Sequence, residues 1–184
     1  MTRRPSARRS RWPGVRRTLT WVNLTTPLGV ALAAASRSPL RRAPGGVLVA
    51  EGYRWRVPRQ TCFTVGGVIF TRKDVDWLLD VRRERLLAHE TRHVDQYAVL
   101  GPLFFPAYGL ASGWSWFVTG AYGCRNAFER HAGLAAGGYR DLPVRPWLAA
   151  LRNSARRRRS PRPYADDGAR TGEEKSPPPA ATGT

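Results

Sequence analysis

Alternating apolar and polar positions in the first half of the chain predict a small β-sheet. Four short segments are β-branched and aromatic, or alternate with polar residues, as strands do: residues 47–49, 53–56, 64–65 and 68–71. Gly66 and Gly67, between the last two segments, predict a bulge or a tight turn. We expect a small antiparallel sheet of about three or four strands. Its edge strand either only supports the helices or also receives an extended peptide.

Helical spacing replaces this alternation in the second half. A short helix over 75–79 has an aspartate on either side of its first residue as a possible N-cap, and a longer helix is predicted over 81–100, ended by Gly101-Pro102. Later helices are predicted over about 106–118, 125–136 and 143–152. The predicted fold class is therefore α+β: a small antiparallel sheet, a long helix that carries the candidate site, and two or three further helices.

Residues 98–124 contain no charged side chain. By length alone this run is sufficient for a membrane span. Proline, glycine, serine and threonine interrupt it, however, and Trp114 and Trp116 lie in its middle rather than at its ends, where membrane proteins favour tryptophan. We expect a buried helix here, with a membrane-embedded or membrane-resting hairpin as the alternative.

The charge distribution predicts disordered ends. The formal net charge is +18. Residues 1–18 carry seven arginines and no acid, and residues 153–184 carry seven basic and four acidic residues, so the two ends hold ten of the eighteen charges. We expect a disordered arginine-rich arm at 1–18, a single domain over 19–152 and a disordered tail at 153–184. Such ends bind polyanions non-specifically, so binding of nucleic acid or a membrane surface through them is a separate hypothesis.

Two features bear on the cellular compartment. Residues 19–36 form an apolar segment after Arg16-Arg17, which is one mark of a twin-arginine export signal, but polar residues and a proline interrupt it. Cys62 and Cys124 are too few for a disulfide framework and are expected to be unpaired, buried thiols in a reducing cytosol. We therefore expect a cytoplasmic protein, with export or membrane association as the alternative.

The long predicted helix carries the candidate chemistry, in the sequence His89-Glu90-Thr91-Arg92-His93. The spacing places His89 and His93 on one helix face, one turn apart. Two neutral imidazoles in this position can hold one Zn²⁺ at about 2.0–2.1 Å each. Glu90 lies about 100° further around the helix, too far to be the natural third ligand, but it can reach a water molecule on the open side of the metal. The pattern is typical of zinc metalloproteases.

A catalytic zinc site needs a third protein ligand. The downstream candidates are Asp95, Glu129, His131 and Asp141. Asp95 follows His93 by two positions and so points away from the histidine pair. Glu129 is preferred, but Asn126 is a good N-cap with Glu129 at its N3 position, so a capping box is the competing explanation. His131 projects from another face of the same helix, and a site without a third ligand also stays open.

The segment from His89 to Gln96, followed by an apolar connector and the segment from Asn126 to Ala132, resembles small bacterial zincin-like proteins of actinobacterial type. These combine an H-E-x-x-H-x-x-Q helix with a downstream N-x-x-E-x-x-A helix, which is the gluzincin arrangement. The resemblance covers about residues 63–136. It implies a minimal zincin-like domain with Zn²⁺ bound by His89, His93 and Glu129, and with Glu90 as the general base.

These features predict a zinc-dependent hydrolase, in the first instance a metallopeptidase acting on a peptide or protein substrate. Glu90 takes a proton from the attacking water and delivers it to the leaving amine. An oxyanion stabiliser is needed as well. The candidates for it are Arg92, Tyr108, Tyr122 and His131. Gln96 either orients a ligand or fills a polar gap. The alternative function is a non-catalytic, structural or regulatory zinc module that uses the same ligands.

Overall fold

The computed structural model describes residues 11–151, which form the predicted α+β fold. Its elements, in chain order, are α1 (Trp12–Val22), α2 (Thr25–Ala35), β1 (Leu40–Arg42), β2 (Leu48–Ala50), β3 (Cys62–Val65), β4 (Val68–Thr71), α3 (Val75–Leu79), α4 (Glu84–Leu100), α5 (Phe104–Thr119) and α6 (Ala127–Ala132). Short 3₁₀ turns precede β2, α4 and α5. Residues 11–146 belong to one compact unit, and the described part of the next unit, residues 147–151, is helical.

The sheet is mixed, which corrects the expectation of a wholly antiparallel one. The strand order is β1-β2-β4-β3, and β2 pairs with β4 in parallel while the other two pairs are antiparallel. β3 therefore lies at one edge. Residues 53–56 were expected to be a strand but form an irregular segment, in which the Tyr53 side chain is 2% exposed. β1 lies in the segment 37–46, whose proline, glycine and arginine residues give it a loop-like composition.

Gly66 and Gly67 form a tight turn between β3 and β4. Val65 pairs directly with Val68, so the turn has two residues. Gly66 has a φ of +59°, and a Cβ atom there would lie 2.2 Å from the carbonyl carbon of Thr25. Glycine is thus required both by the turn and by the close approach of the first turn of α2.

Helices cover both faces of the sheet. One face packs against α3 and α4 through Val49, Cys62, Ile69, Leu78 and Val94. The other packs against α2 through Ala33, Val65, Val68 and Phe70. All four residues of β4 are buried, as expected for a central strand with an apolar run. Because α4 crosses the face next to β3, the edge strand lies beside the helix that carries the histidines.

Helix α1 corrects the expectation that residues 1–18 form a disordered arm. Residues 12–18 belong to α1, while residues 1–10 lie outside the described residues. Arg16 is 4% exposed, and its guanidinium donates to the Asp95 carboxylate at 3.0 Å and to the Gly45 carbonyl at 2.7 Å. This arginine fastens α1 to α4, so part of the basic charge is structural. The predicted tail at 153–184 also lies outside the described residues.

Two later helices differ from their predictions. α5 is a helix as expected but is not buried, since Leu110 is 77% and Trp114 62% exposed. α6 ends at Ala132 rather than at 136, because Gly133 takes a φ of +104° and closes the helix. Within residues 11–151, no single helix has the length and apolarity to cross a membrane. Only α1 and α2 taken together, with a bend of 74° between them, meet that criterion.

Candidate metal centre

Helix α4 presents its two histidines to the interior, as the spacing predicted. His89 is 3% and His93 7% exposed. Their Nε2 atoms lie 3.2 Å apart, and the two ring planes are nearly perpendicular at 87°. The four-residue interval places one imidazole a turn beyond the other. Both rings therefore direct Nε2 to one common point.

Glu129 on α6 contributes a third atom at that point. Its Oε2 lies 3.3 Å from His89 Nε2 and 3.6 Å from His93 Nε2. Three atoms bound tetrahedrally to one ion at about 2.0–2.1 Å are about 3.3–3.4 Å from one another. The observed triangle has the size that a metal ion requires. The three buried side chains thus form a group that can hold a metal ion.

The capping box that competed for Glu129 is not formed. Asn126 does cap α6, since its Oδ1 accepts the Phe128 N–H at 2.8 Å. The Asn126 N–H, however, donates to the Gly123 carbonyl at 3.0 Å and not to the Glu129 carboxylate. The cap and the metal group therefore use different residues of the same short helix, and Glu129 faces the histidine pair.

Both histidines are oriented through their Nδ1 atoms. The Gly133 carbonyl can only accept, so His89 Nδ1–H donates to it at 3.1 Å. Gln96 Nε2 donates to the Phe128 carbonyl at 3.0 Å, which leaves Gln96 Oε1 to accept from His93 Nδ1–H at 2.8 Å. In the neutral form of each ring, Nε2 then carries the lone pair that a metal needs. Gln96 orients a candidate ligand, which was one of its two predicted roles.

The centre of the group favours a positive charge. Glu129 Oε1 accepts the Tyr108 hydroxyl proton, whereas Oε2 is buried and receives no hydrogen bond within the described residues. Burial opposes ionisation of Glu129, but its contacts with both imidazoles and Tyr108 outweigh burial and lower its pKa to about 2. Burial likewise lowers the pKa of His93, but Glu129 and Glu90 outweigh it and raise that pKa. A divalent cation would supply the charge that these buried acceptors require.

Glu90 lies beside the three ligand atoms without being one of them. It is 4% exposed, and Thr64 on β3 donates its hydroxyl proton to Glu90 Oε2 at 2.7 Å. Burial raises the pKa of Glu90, against the opposing effects of the Thr64 hydrogen bond and the two histidines. The hydrogen bond from Thr64 on β3 thus holds Glu90, the predicted base on α4, next to the metal group.

A cavity of about 620 Å³ opens onto this constellation. Its polar wall includes His89, Glu90, His93, Tyr108, Glu129 and Tyr139. Its apolar wall comes from β3, α3, α4 and α5 and includes Phe63, Val65, Trp77, Leu86, Phe104 and Phe105. Buried metal ligands that adjoin a roomy, largely apolar cavity are the usual arrangement of a small-molecule or peptide site.

Only one of the four candidate oxyanion stabilisers lines the cavity. That residue is Tyr108, whose hydroxyl is already engaged with Glu129. Arg92 donates to the Ala132 carbonyl at 3.0 Å, at the end of α6. Tyr122 is 65% exposed and stacks on Trp116. The structure thus gives Arg92 and Tyr122 positions outside the cavity.

The other candidate third ligands lie away from the metal group. Asp95 pairs with Arg16, and Asp141 lies 3.5 Å from a guanidinium nitrogen of Arg130. His131 is exposed, and its Nδ1 contacts Gln96 Nε2 at 3.2 Å. His131 therefore lies outside the ligand triangle and adjoins it only through Gln96.

Sequence reasoning missed two residues of the site. Thr64 holds Glu90, and Tyr139 lines the cavity from the segment after α6. Burial and the nearby Glu129 raise the pKa of Tyr139, so its hydroxyl keeps its proton at neutral pH. Neither residue belongs to a motif. The sequence signal for Tyr139 was Gly123. A Cβ atom at residue 123 would lie 2.2 Å from the Tyr139 ring, so glycine leaves the room that this ring occupies.

Comparison with known proteins found no relative. No family model matches the chain, and no curated protein or solved structure matches it significantly. The zincin resemblance therefore stays a prediction from the motif residues. The metal-binding capacity rests on the distances between His89, His93 and Glu129.

Gly137 is expected to be essential for the position of His89. A Cβ atom at residue 137 would lie 2.5 Å from His89 Cε1 and 2.7 Å from Nε2. Gly137→Ala should therefore push the imidazole aside and weaken metal binding by about 10-fold or more, as measured by competition with a chelator. Gly109→Ala is the matched control, since a Cβ there meets nothing within 4 Å. Unchanged metal affinity in Gly137→Ala would contradict this role.

Proposed function

We propose that the protein is a zinc-dependent peptidase. The observation that carries the proposal is the position of Glu90, which shares one cavity with the three candidate ligands and is held there by Thr64. A purely structural metal site has no use for a buried carboxylate beside its ligands. A hydrolase needs such a group as its general base.

The donor set favours zinc among the common metals. Two imidazoles and one carboxylate are a typical catalytic zinc set, with a fourth position left for water or substrate. Calcium and magnesium prefer oxygen ligands. The hydrogen bonds at His89 Nδ1, His93 Nδ1 and Glu129 Oε1 are the outer contacts expected around such a centre.

The proton chemistry falls to Glu90. Zinc bound at this centre polarises a substrate carbonyl and activates water. The Thr64 hydrogen bond occupies Glu90 Oε2, so Oε1 is the atom that takes the proton of the attacking water and returns it to the leaving amine. Burial raises the pKa of Glu90 above its ordinary value, which is the direction that favours a carboxyl group able to return a proton to the leaving amine.

Tyr139 is the proposed second stabiliser of the oxyanion. It lines the cavity together with the metal group, and its raised pKa keeps the hydroxyl a donor. Tyr108 is the weaker candidate, since its proton is directed to Glu129 Oε1. In this assignment Tyr108 orients a ligand, and Tyr139 contacts the substrate.

The edge strand favours an extended peptide as the substrate. The Thr61 carbonyl accepts the Arg72 N–H, so the peptide groups of Thr61 face the β4 side of the strand. Peptide groups alternate in direction along an antiparallel strand, so those of Cys62 and Thr64 point away from β4. These groups border the cavity and can pair with an added strand. The apolar wall next to them fits a large apolar side chain near the scissile bond.

A peptide library tests this proposal. The zinc-loaded protein should cleave extended peptides next to apolar residues, with the products identified by mass spectrometry. A chelator should stop the cleavage, and added zinc should restore it. If zinc-loaded protein cleaves nothing, the non-catalytic zinc module becomes the better explanation. The accessible cavity at the ligands is what favours the enzyme over that module.

A further inference from the structure

The outer surface of α5 is apolar and largely exposed. Leu103, Leu110 and Trp114 follow steps of seven and four, so they lie on one helical face, and they are 69%, 77% and 62% exposed. Phe104, Ser115 and Val118, which are buried, lie about 60–120° further around the helix. Much of the surface of this uncharged helix is therefore exposed.

The corner between α1 and α2 extends this surface. Asn23 lies at the corner, donates its side-chain amide to the Tyr97 carbonyl at 3.0 Å, and packs against Gly101 just before α5. Val22 and Leu24, on either side of Asn23, are more than two-thirds exposed, and so is Val99 near the end of α4. We define the apolar face as Val22, Leu24, Val99, Leu103, Leu110 and Trp114. Exposed apolar patches of this kind mark interaction sites.

The described segments that build the apolar face are free of acid. Residues 11–50 and 96–128 contain no aspartate or glutamate, and residues 11–50 contain six arginines, of which only Arg16 is buried. Arg17 and Val22 line one shallow depression, so this exposed arginine adjoins the apolar face. An apolar surface with arginine beside it complements a layer of acyl chains under anionic headgroups. Tryptophan is also the side chain favoured at that boundary.

We propose that the apolar face docks the protein on the surface of an anionic lipid bilayer. In this arrangement α5 lies in the interface, and the exposed arginines of the acid-free segments contact the headgroups.

Vesicle sedimentation with the full chain tests the docking. The protein should sediment with vesicles of phosphatidylcholine containing phosphatidylglycerol and much less with phosphatidylcholine alone. Leu110→Asp should weaken binding to the anionic vesicles about 10-fold or more, because it places a charge in the apolar layer. Val81→Asp is the matched control, since Val81 is 80% exposed and lies before α4, outside the apolar face. Retained metal content shows that both variants are folded.

Several results would overturn the docking. Equal weakening by Leu110→Asp and Val81→Asp, or none by either, would assign vesicle binding to charge outside the apolar face. Equal binding to both vesicle types would remove the role of anionic headgroups. A protein that ignores vesicles but forms a dimer dissociated by Leu110→Asp would make this face an interface between copies. None of these measurements depends on peptide hydrolysis, so the docking stands or falls apart from the proposed activity.

Discussion

Glu129→Ala and His93→Ala are each expected to lower zinc affinity by at least about 100-fold, since each removes one of the three proposed ligands. His131→Ala should leave the affinity nearly unchanged. His131 is the matched control because it lies two residues from Glu129 on the same helix but is exposed, outside the ligand triangle. Metal content after dialysis and chelator competition measure the effect, and circular dichroism shows whether α6 persists.

The outcome separates the two roles that the sequence allowed for Glu129. Asn126 caps α6 without help from Glu129, so Glu129→Ala should lose the metal while keeping the helix. Full zinc affinity in Glu129→Ala would exclude Glu129 as a ligand. Loss of zinc in His131→Ala would contradict the assignment of Glu129, rather than His131, as the third ligand. Because neighbouring carboxylates raise the pKa of His93, protons should displace the metal as the pH falls through that raised value.

The parts of the site that sequence predicted are those fixed by local helix geometry. The interval between His89 and His93 determines that both imidazoles share a face of α4, whatever the rest of the fold does. The Asn126 cap could also be predicted, because it depends on the first turn of α6 alone. Glu129 was harder, since its role depended on the packing of α6 against α4, and its N3 position after Asn126 offered a capping box as the competing explanation.

What sequence could not predict depends on contacts between distant segments. Arg16 looked like part of a solvated arm because its partner, Asp95, lies 79 positions away. β1 is a strand only because β2 is available beside it, and its own residues have a loop-like composition. The absence of charge in α5 indicated burial, but apolar residues cover all sides of that helix and several of them are exposed.

Hydrolysis by Glu90→Gln is expected to be about 10²–10⁴-fold slower than by the natural protein, with zinc still bound. The amide keeps the size of the side chain and an oxygen that accepts the Thr64 hydroxyl proton, but it cannot take a proton from water. Glu84→Gln is the matched control, because Glu84 begins the same helix and is exposed. The measurements are kcat for a peptide found in the library screen and zinc content.

Thr64→Val separates the positioning of Glu90 from its chemistry. The variant keeps the base but removes the hydrogen bond that lowers its pKa, so the pKa of Glu90 should rise further and the acid limb of the kcat profile should move to higher pH. At pH values above that limb, much of the activity should return, whereas Glu90→Gln should stay inactive at every pH. Undiminished hydrolysis by zinc-loaded Glu90→Gln would refute the proposed mechanism. An unshifted profile in Thr64→Val would limit Thr64 to packing, because a residue that only supports β3 has no reason to change the proton affinity of a carboxylate on α4.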